Sequence, residues 1–191
     1  MLKIKNLDHN FGLNPEAITA AEKRLSNSYY TRAQSTLAFV INRPNGAQVS
    51  LEMIRAINYW LKIHPDKEVC VFAVNKDLPI CPINTAVYPL NELKQYYGPV
   101  VYLDLASFEY GASLVPNPGY FYIADAFFLS QVRQNIPQVK LNEWARQKHI
   151  RYITRTKEYG SLIMGMYGWA SDDYLPELNV EFFYDKIRNT V

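Results

Sequence analysis

Residues 37–75, "LAFVINRPNGAQVSLEMIRAINYWLKIHPDKEVCVFAVN", decide the fold. They open inside an apolar run, Ser35 to Asn42, of the kind seen in strands buried on both faces of a parallel sheet. The turn formers of "RPNGAQV" follow. In "SLEMIRAINYWLKIH", Met53, Ile54, Ile57, Trp60 and Leu61 recur at steps of three and four, which gives a helix with one buried face. Ser50 suits the cap of that helix, and Pro65 ends it. "EVCVFAVN", Glu68 to Asn75, is a second buried strand. A strand–helix–strand unit of this kind requires a right-handed crossover and a parallel sheet.

Outward from this unit the alternation continues. "TAVYPL" reads as a third strand, and "LNELKQYYG" as a short helix stopped by Gly98. "PVVYLDLA", Pro99 to Ala106, reads as a strand with Asp104 near its carboxyl end. "SFEYGASLVPNPG" reads as a loop before the strand "GYFYIAD". A helix from about Val139, the strand "IRYITRT", and helices at "KEYGSLIMGMYG" and "VEFFYDKIRN" complete the order. Upstream, "NPEAITAAEKRL" has Asn14 as a helix cap, Pro15 in the first helical position and a stripe of Ala17, Ile18, Ala21 and Leu25. No repeat or low-complexity tract is visible. The expectation is an α/β chain: a single Rossmann-like three-layer domain over residues 1–191 with a mostly parallel sheet. Residues 1–34 would form an extension and the core would begin at about 35.

Composition narrows the class. Of 191 residues, 49% are hydrophobic and 20% charged, enough for a sizeable core and unlike disordered or fibrous chains. The 15 tyrosines carry polar tips that suit cores and polar pockets alike. A net charge of +2 neither demands nor excludes a nucleic-acid partner, and "RQKHIR", Arg146 to Arg151, reads best as a solvated helix end. Two cysteines, Cys70 and Cys81, and no secretory signal favour a reduced, cytoplasmic home. No apolar run reaches the ~18 residues that would span a membrane. His9, His64 and His149 lack zinc-ligand spacing, so no metal site is readable. The dinucleotide, phosphate-loop and hydrolase-elbow motifs are absent, and no resident cofactor is expected.

Chemistry is therefore sought where open parallel sheets place it, outside the carboxyl ends of the strands. "FYIADAFFLS", Phe121 to Ser130, holds a carboxylate, Asp125, where an unpaired charge would cost several kcal/mol if buried. On the rim, Asp125 would act as general base or hold a sugar hydroxyl. The competing reading caps the next turn or pairs it with Arg133 or Arg155. Asp104 follows the same positional logic. Arg155 and Glu158 fall at another strand-to-helix junction, where Arg155 suits a phosphate or, alternatively, a surface pair with Glu158. Asn42, Arg43 and Gly46 lie in the first rim loop, as contacts or as an ordinary turn. Trp169 and Tyr167 in "GMYGWASDDY" could stack on a sugar or a base, or pack as a loop.

The same stretches carry a resemblance. The unit at 37–75 is similar to the opening of the N-terminal lobe of two-lobed (GT-B type) glycosyltransferases, where a strand ends at a glycine-bearing loop and a strand of "hEVtVf" character follows the helix. "IRYITRTKEYGSLI" and "ELNVEFFYDKI" resemble the end of that lobe, with Asn179, Val180 and Phe183 on its "N-G-V-D-x-x-x-F" pattern. "ASLVPNPGYFYIADAFFL" resembles a segment of small phage-encoded glycosyltransferase-like proteins and puts Asp125 on their aspartate. Together the matches span residues 36 to 188. Gly46 stands alone where a glycine pair is common, Val180 replaces a glycine, and "AFF" follows Asp125 where the family has "LEW". The resemblance implies a nucleotide-sugar donor, UDP-linked, as substrate, and an acceptor hydroxyl that could belong to modified phage DNA. It further implies Asp125 as catalytic, Asn179 as a substrate contact and a home in the host cytoplasm, and position on the rim adds Asp104 as catalytic and Asn42, Arg43, Gly46, Arg155 and Glu158 as substrate contacts. A chain of 191 residues has room for one such lobe. Donor and acceptor would share this one sheet's rim, or the missing wall would come from a homo-oligomer or a second subunit, or the lobe would serve as a non-catalytic binding or host-interaction module. A nucleotide-cleaving enzyme on the same sheet is a third reading.

Overall fold

One sheet organises the chain, and its strand order reverses direction in the middle. The structure, a computed structural model, describes residues 36–45, 48–75, 79, 81–113, 118–124, 136–147 and 149–188. Among these, β1 (Thr36–Ile41), β2 (Glu68–Ala73), β3 (Val87–Pro89), β4 (Val100–Tyr102), β5 (Gly119–Ile123), β6 (Ile150–Thr154) and β7 (Asp173–Tyr174) line up as β3-β2-β1-β4-β5-β6-β7. Every neighbouring pair is parallel. The helices are α1 (Gln48–Ile63), α2 (Leu105–Gly111), α3 (Gln138–Ala145), α4 (Lys157–Tyr167) and α5 (Val180–Arg188), with a 3₁₀ helix at Leu90–Gln95.

Strand periodicity divides the core into two layers. Leu37, Phe39 and Ile41 of β1 pack with Met53, Ile57 and Trp60 of α1 and Phe183 of α5. Ala38 and Val40 face the other way, into a cluster with Leu93, Phe108 of α2, Trp144 of α3, and Ile163 and Tyr167 of α4. Right-handed crossovers explain the division. The chain steps one way from β1 to β2 and the other way from β4 to β6, so the connecting helices fall on opposite faces. The result is the expected α/β three-layer, Rossmann-like architecture with a parallel sheet.

Four local expectations are corrected. The first helix starts at Gln48, so Ser50 is inside it and fully buried, its Oγ donating to the Arg43 carbonyl at 2.8 Å instead of capping. The strand anticipated from Pro99 to Ala106 ends at Tyr102 because Asp104 starts α2, in a stretch read as loop. A seven-residue helix is too short to show a 3.6-residue stripe. The short helix at Leu90 is of 3₁₀ type and ends at Gln95, ahead of Gly98. The two-residue β7 was not anticipated. By contrast α4 behaves as its sequence suggests. Thr156 caps it by accepting from the Tyr159 N–H at 3.3 Å, and Gly168 closes it at φ +73°. The helix expected at Asn14–Leu25 lies outside the described residues.

Most tyrosines serve the interior. Tyr122 donates its hydroxyl to the Leu175 carbonyl at 3.0 Å and Tyr152 to the Trp144 carbonyl at 2.8 Å, and burial pushes both phenol pKa values up. Around them Phe108 stacks on Phe121 at 4.4 Å, and Trp169 on Tyr152 at 4.9 Å, so Trp169 is core and is fully buried. Tyr102 leaves no slack. A Cβ added at Gly111 would lie 2.6 Å from its Cε1. Gly111→Ala is accordingly expected to cost about 1–3 kcal/mol by overpacking, read as a lower urea midpoint with an unchanged slope.

Candidate functional site

The carboxyl ends of the strands form a polar rim, and its centre is the point between β1 and β4 where the strand order reverses. Asn42 follows β1 there, and Asp104 follows β4. The Asn42 N–H donates to Asp104 Oδ2 at 2.7 Å, and the Ser107 N–H donates to Oδ1 at 2.8 Å. Ser107 Oγ in turn accepts from the Asp104 N–H at 3.3 Å and completes a capping box on α2. Both carboxylate oxygens are therefore engaged. Burial pushes the Asp104 pKa up, against the N–H groups of Asn42 and Ser107 that hold it down.

Asn75, one residue past the Val74 that ends β2's run, was not singled out from sequence. Its N–H donates to the Asn42 carbonyl at 2.9 Å and its Nδ2 to Asn42 Oδ1 at 2.7 Å. The signal was available: Asn75 stands after β2 as Asn42 stands after β1. The three residues fasten the ends of β2, β1 and β4 to one another.

Arg155 occupies the rim after β6, where its N–H donates to the Ile123 carbonyl at 3.2 Å. Its guanidinium pairs with Glu52 on α1 at 2.5 Å and reaches the Tyr122 hydroxyl at 3.4 Å. Glu52 also accepts from Gln48 Nε2 at 3.1 Å. The pair is with Glu52, not with the Glu158 that sequence proximity suggested. Glu158 is exposed in the first turn of α4, where backbone N–H and the Thr156 hydroxyl hold its carboxyl below the usual range. Arg43 is exposed, and its carbonyl tethers Ser50. Gly46 and Asp125 lie outside the described residues.

Asn179 does not join this group. Its Oδ1 accepts from the N–H groups of Glu181 at 2.9 Å and Phe182 at 3.4 Å, which caps α5. Glu181 then reaches Trp60 Nε1 at 2.5 Å and His64 Nε2 at 3.2 Å. Those residues close α1 at the end that feeds the start of β2, opposite to the rim. So the structure puts Asn42 and Asp104 in contact, sets Arg155 and Glu158 on the same rim, and leaves Asn179 away from it.

The rim offers a guanidinium for an anion, amides for hydroxyl groups, and a carboxylate whose lone pairs already serve the backbone. Among the described residues no group of three or more His, Cys, Asp or Glu is placed to hold a metal ion, and no helix is long and apolar enough to cross a membrane. Compared with known protein families, with curated proteins and with solved structures, the chain matches none.

Proposed function

We propose that this chain is a glycosyltransferase-like lobe that binds a nucleotide-sugar donor, UDP-linked, along the rim and moves the sugar to an acceptor hydroxyl. The observation that carries the reading is the reversal of strand order between β1 and β4, since ligands of open α/β sheets lie in the crevice at that point. In this reading Arg155 exchanges Glu52 for a donor phosphate, a charge-assisted contact. Asn42 and Asn75 supply amides for ribose or sugar hydroxyls. Asp125, directly after Ala124 in sequence, is the general base, a role typically worth ~10²–10⁴ in rate. Asp104 holds the rim together and is not the base. The acceptor could belong to nucleic acid, and phage origin with a host-cytoplasmic home is part of the same proposal.

Isothermal calorimetry with UDP, UDP-glucose and GDP sugars tests it. Binding of one of them is expected, and silence with all of them would leave the reading without support. Arg155→Ala is expected to weaken that binding about tenfold, the loss of one charge-assisted hydrogen bond. One observation favours a second reading, a non-catalytic binding module: both oxygens of Asp104 are committed to N–H donors. Nucleotide binding without sugar transfer to any acceptor would select that reading.

A further inference from the structure

The two asparagines past the ends of β1 and β2 form a unit of their own. Ile41 stands beside Ala73 in the register of these strands, and the Asn75 N–H donating to the Asn42 carbonyl carries the ladder past them. Asn75 Nδ2 lies 2.7 Å from Asn42 Oδ1 and 3.4 Å from the Asn42 carbonyl oxygen. A backbone carbonyl only accepts, so Asn75 must turn its amide nitrogen inward, and that nitrogen in turn requires the side-chain oxygen of Asn42. Both amide orientations are thereby fixed. The ends left over are one donor, Asn42 Nδ2, and one acceptor, Asn75 Oδ1. Neither has a partner among the described residues. Both side chains are half-buried at the rim, and neither free end is shut away from solvent.

We infer that Asn42 and Asn75 act together to read the ribose 2′,3′-diol of the nucleotide, and so select ribonucleotides over their deoxy counterparts. The inference rests on a nucleotide sugar lying along the rim, as proposed above. The chemistry of the two free ends picks the group. A phosphate or carboxylate has no proton for Asn75 Oδ1, and an ammonium has no lone pair for Asn42 Nδ2. A vicinal diol has both: one hydroxyl accepts from Asn42 and the other donates to Asn75. The neighbouring carboxylate does not compete, since Asp104 Oδ2 and Oδ1 are held by the N–H groups of Asn42 and Ser107. Position picks the ribose over the transferred sugar. β1 and β6 are three places apart in the sheet, roughly 14 Å at the usual spacing of strands. Arg155, after β6, therefore takes the diphosphate while the asparagines hold a different part of the ligand. The sugar stays on the Arg155 side, where the proposed base follows Ala124 in sequence, just past β5. The ribose is the diol left for the asparagines.

Calorimetry of the full chain with UDP and with 2′,3′-dideoxy-UDP tests this, because neither carries a transferred sugar. Wild type is expected to bind UDP at least tenfold more tightly, the worth of one or more hydrogen bonds. Asn42→Ala and Asn75→Ala should each lower that ratio, and the double variant should bring it close to one. Both substitutions keep the backbone bonds from Asn42 to Asp104 and from Asn75 to Asn42, so melting should stay cooperative. Arg155→Ala should weaken both nucleotides alike and leave the ratio at its wild-type value. Equal binding of the two nucleotides by wild type, a comparison that needs no variant, overturns the inference while the rim reading stands. So does a ratio that survives loss of both amides. A dependence on the asparagines seen only with UDP-glucose assigns them to the transferred sugar and overturns it too. Silence with both nucleotides and with UDP-glucose sinks the rim reading itself, and this inference with it.

Discussion

Phe183→Ala is expected to destabilise the protein by about 3–5 kcal/mol, the usual loss when a fully buried phenylalanine is truncated. Its ring meets Phe39 of β1 at 6.0 Å, Tyr120 of β5 at 5.6 Å and Tyr122 of β5 at 6.5 Å, all edge to face. It is thus the residue that seats α5 across the sheet. A nine-residue helix does not persist in water alone, so α5 depends on that seat. Urea denaturation followed by circular dichroism gives the size of the loss. Tryptophan fluorescence adds a local reading, because the Trp60 ring lies tilted against Tyr184 at 4.6 Å and its Nε1 donates to Glu181, both on α5. Phe182→Ala, one residue earlier and only half-buried, is the control and should cost much less. A loss below about 1 kcal/mol at Phe183 would mean that α5 does not pack against the sheet as described.

Asp104→Ala should cost about 2–4 kcal/mol: about 1 for the lost cap of α2, and 1–3 for the Asn42 N–H left without its acceptor. Asp104→Asn keeps one acceptor oxygen where two are needed, so it should fall between wild type and alanine. The pH dependence has a definite sign. Burial raises the Asp104 pKa in the folded state, so the fold favours the protonated carboxyl. Stability linked to such a group is full below its unfolded pKa and is lost as the pH rises through the folded pKa. The gap between wild type and Asp104→Ala should therefore widen as the pH is lowered from neutral into the carboxylate range. A gap that narrows instead would show that the hydrogen bonds from Asn42 and Ser107, not burial, dominate this carboxyl.

The central βαβ unit was legible because parallel strands buried on both faces are written as apolar runs, and because α1 is long enough to repeat its stripe from Met53 to Leu61. What escaped was short or distant. A helix of seven residues and a strand of two carry too few positions for any period to show. Arg155 and Glu52 are 103 positions apart, and only the crossing of α1 over the sheet brings them together, while sequence spacing pointed to Glu158. Asn179 was placed by likeness to a pattern. Its local chemistry, a side-chain oxygen two residues before an N–H it can accept from, reads equally as a helix cap. Asp104 was recognised as a rim carboxylate, but its partner Asn42 is 62 positions away, and that contact turns it from a candidate base into a brace.

Among the described residues, the two outermost strands bear on how the protein behaves when crowded. β3 is three residues long and ends in Pro89, which has no N–H to offer a newcomer. β7 is two residues long, with Lys186 paired to Asp173 at 2.5 Å at its start. Neither margin presents the long, regular row of donors and acceptors on which stacked polymers grow. Fibrils seeded from the native state through these borders are therefore not expected.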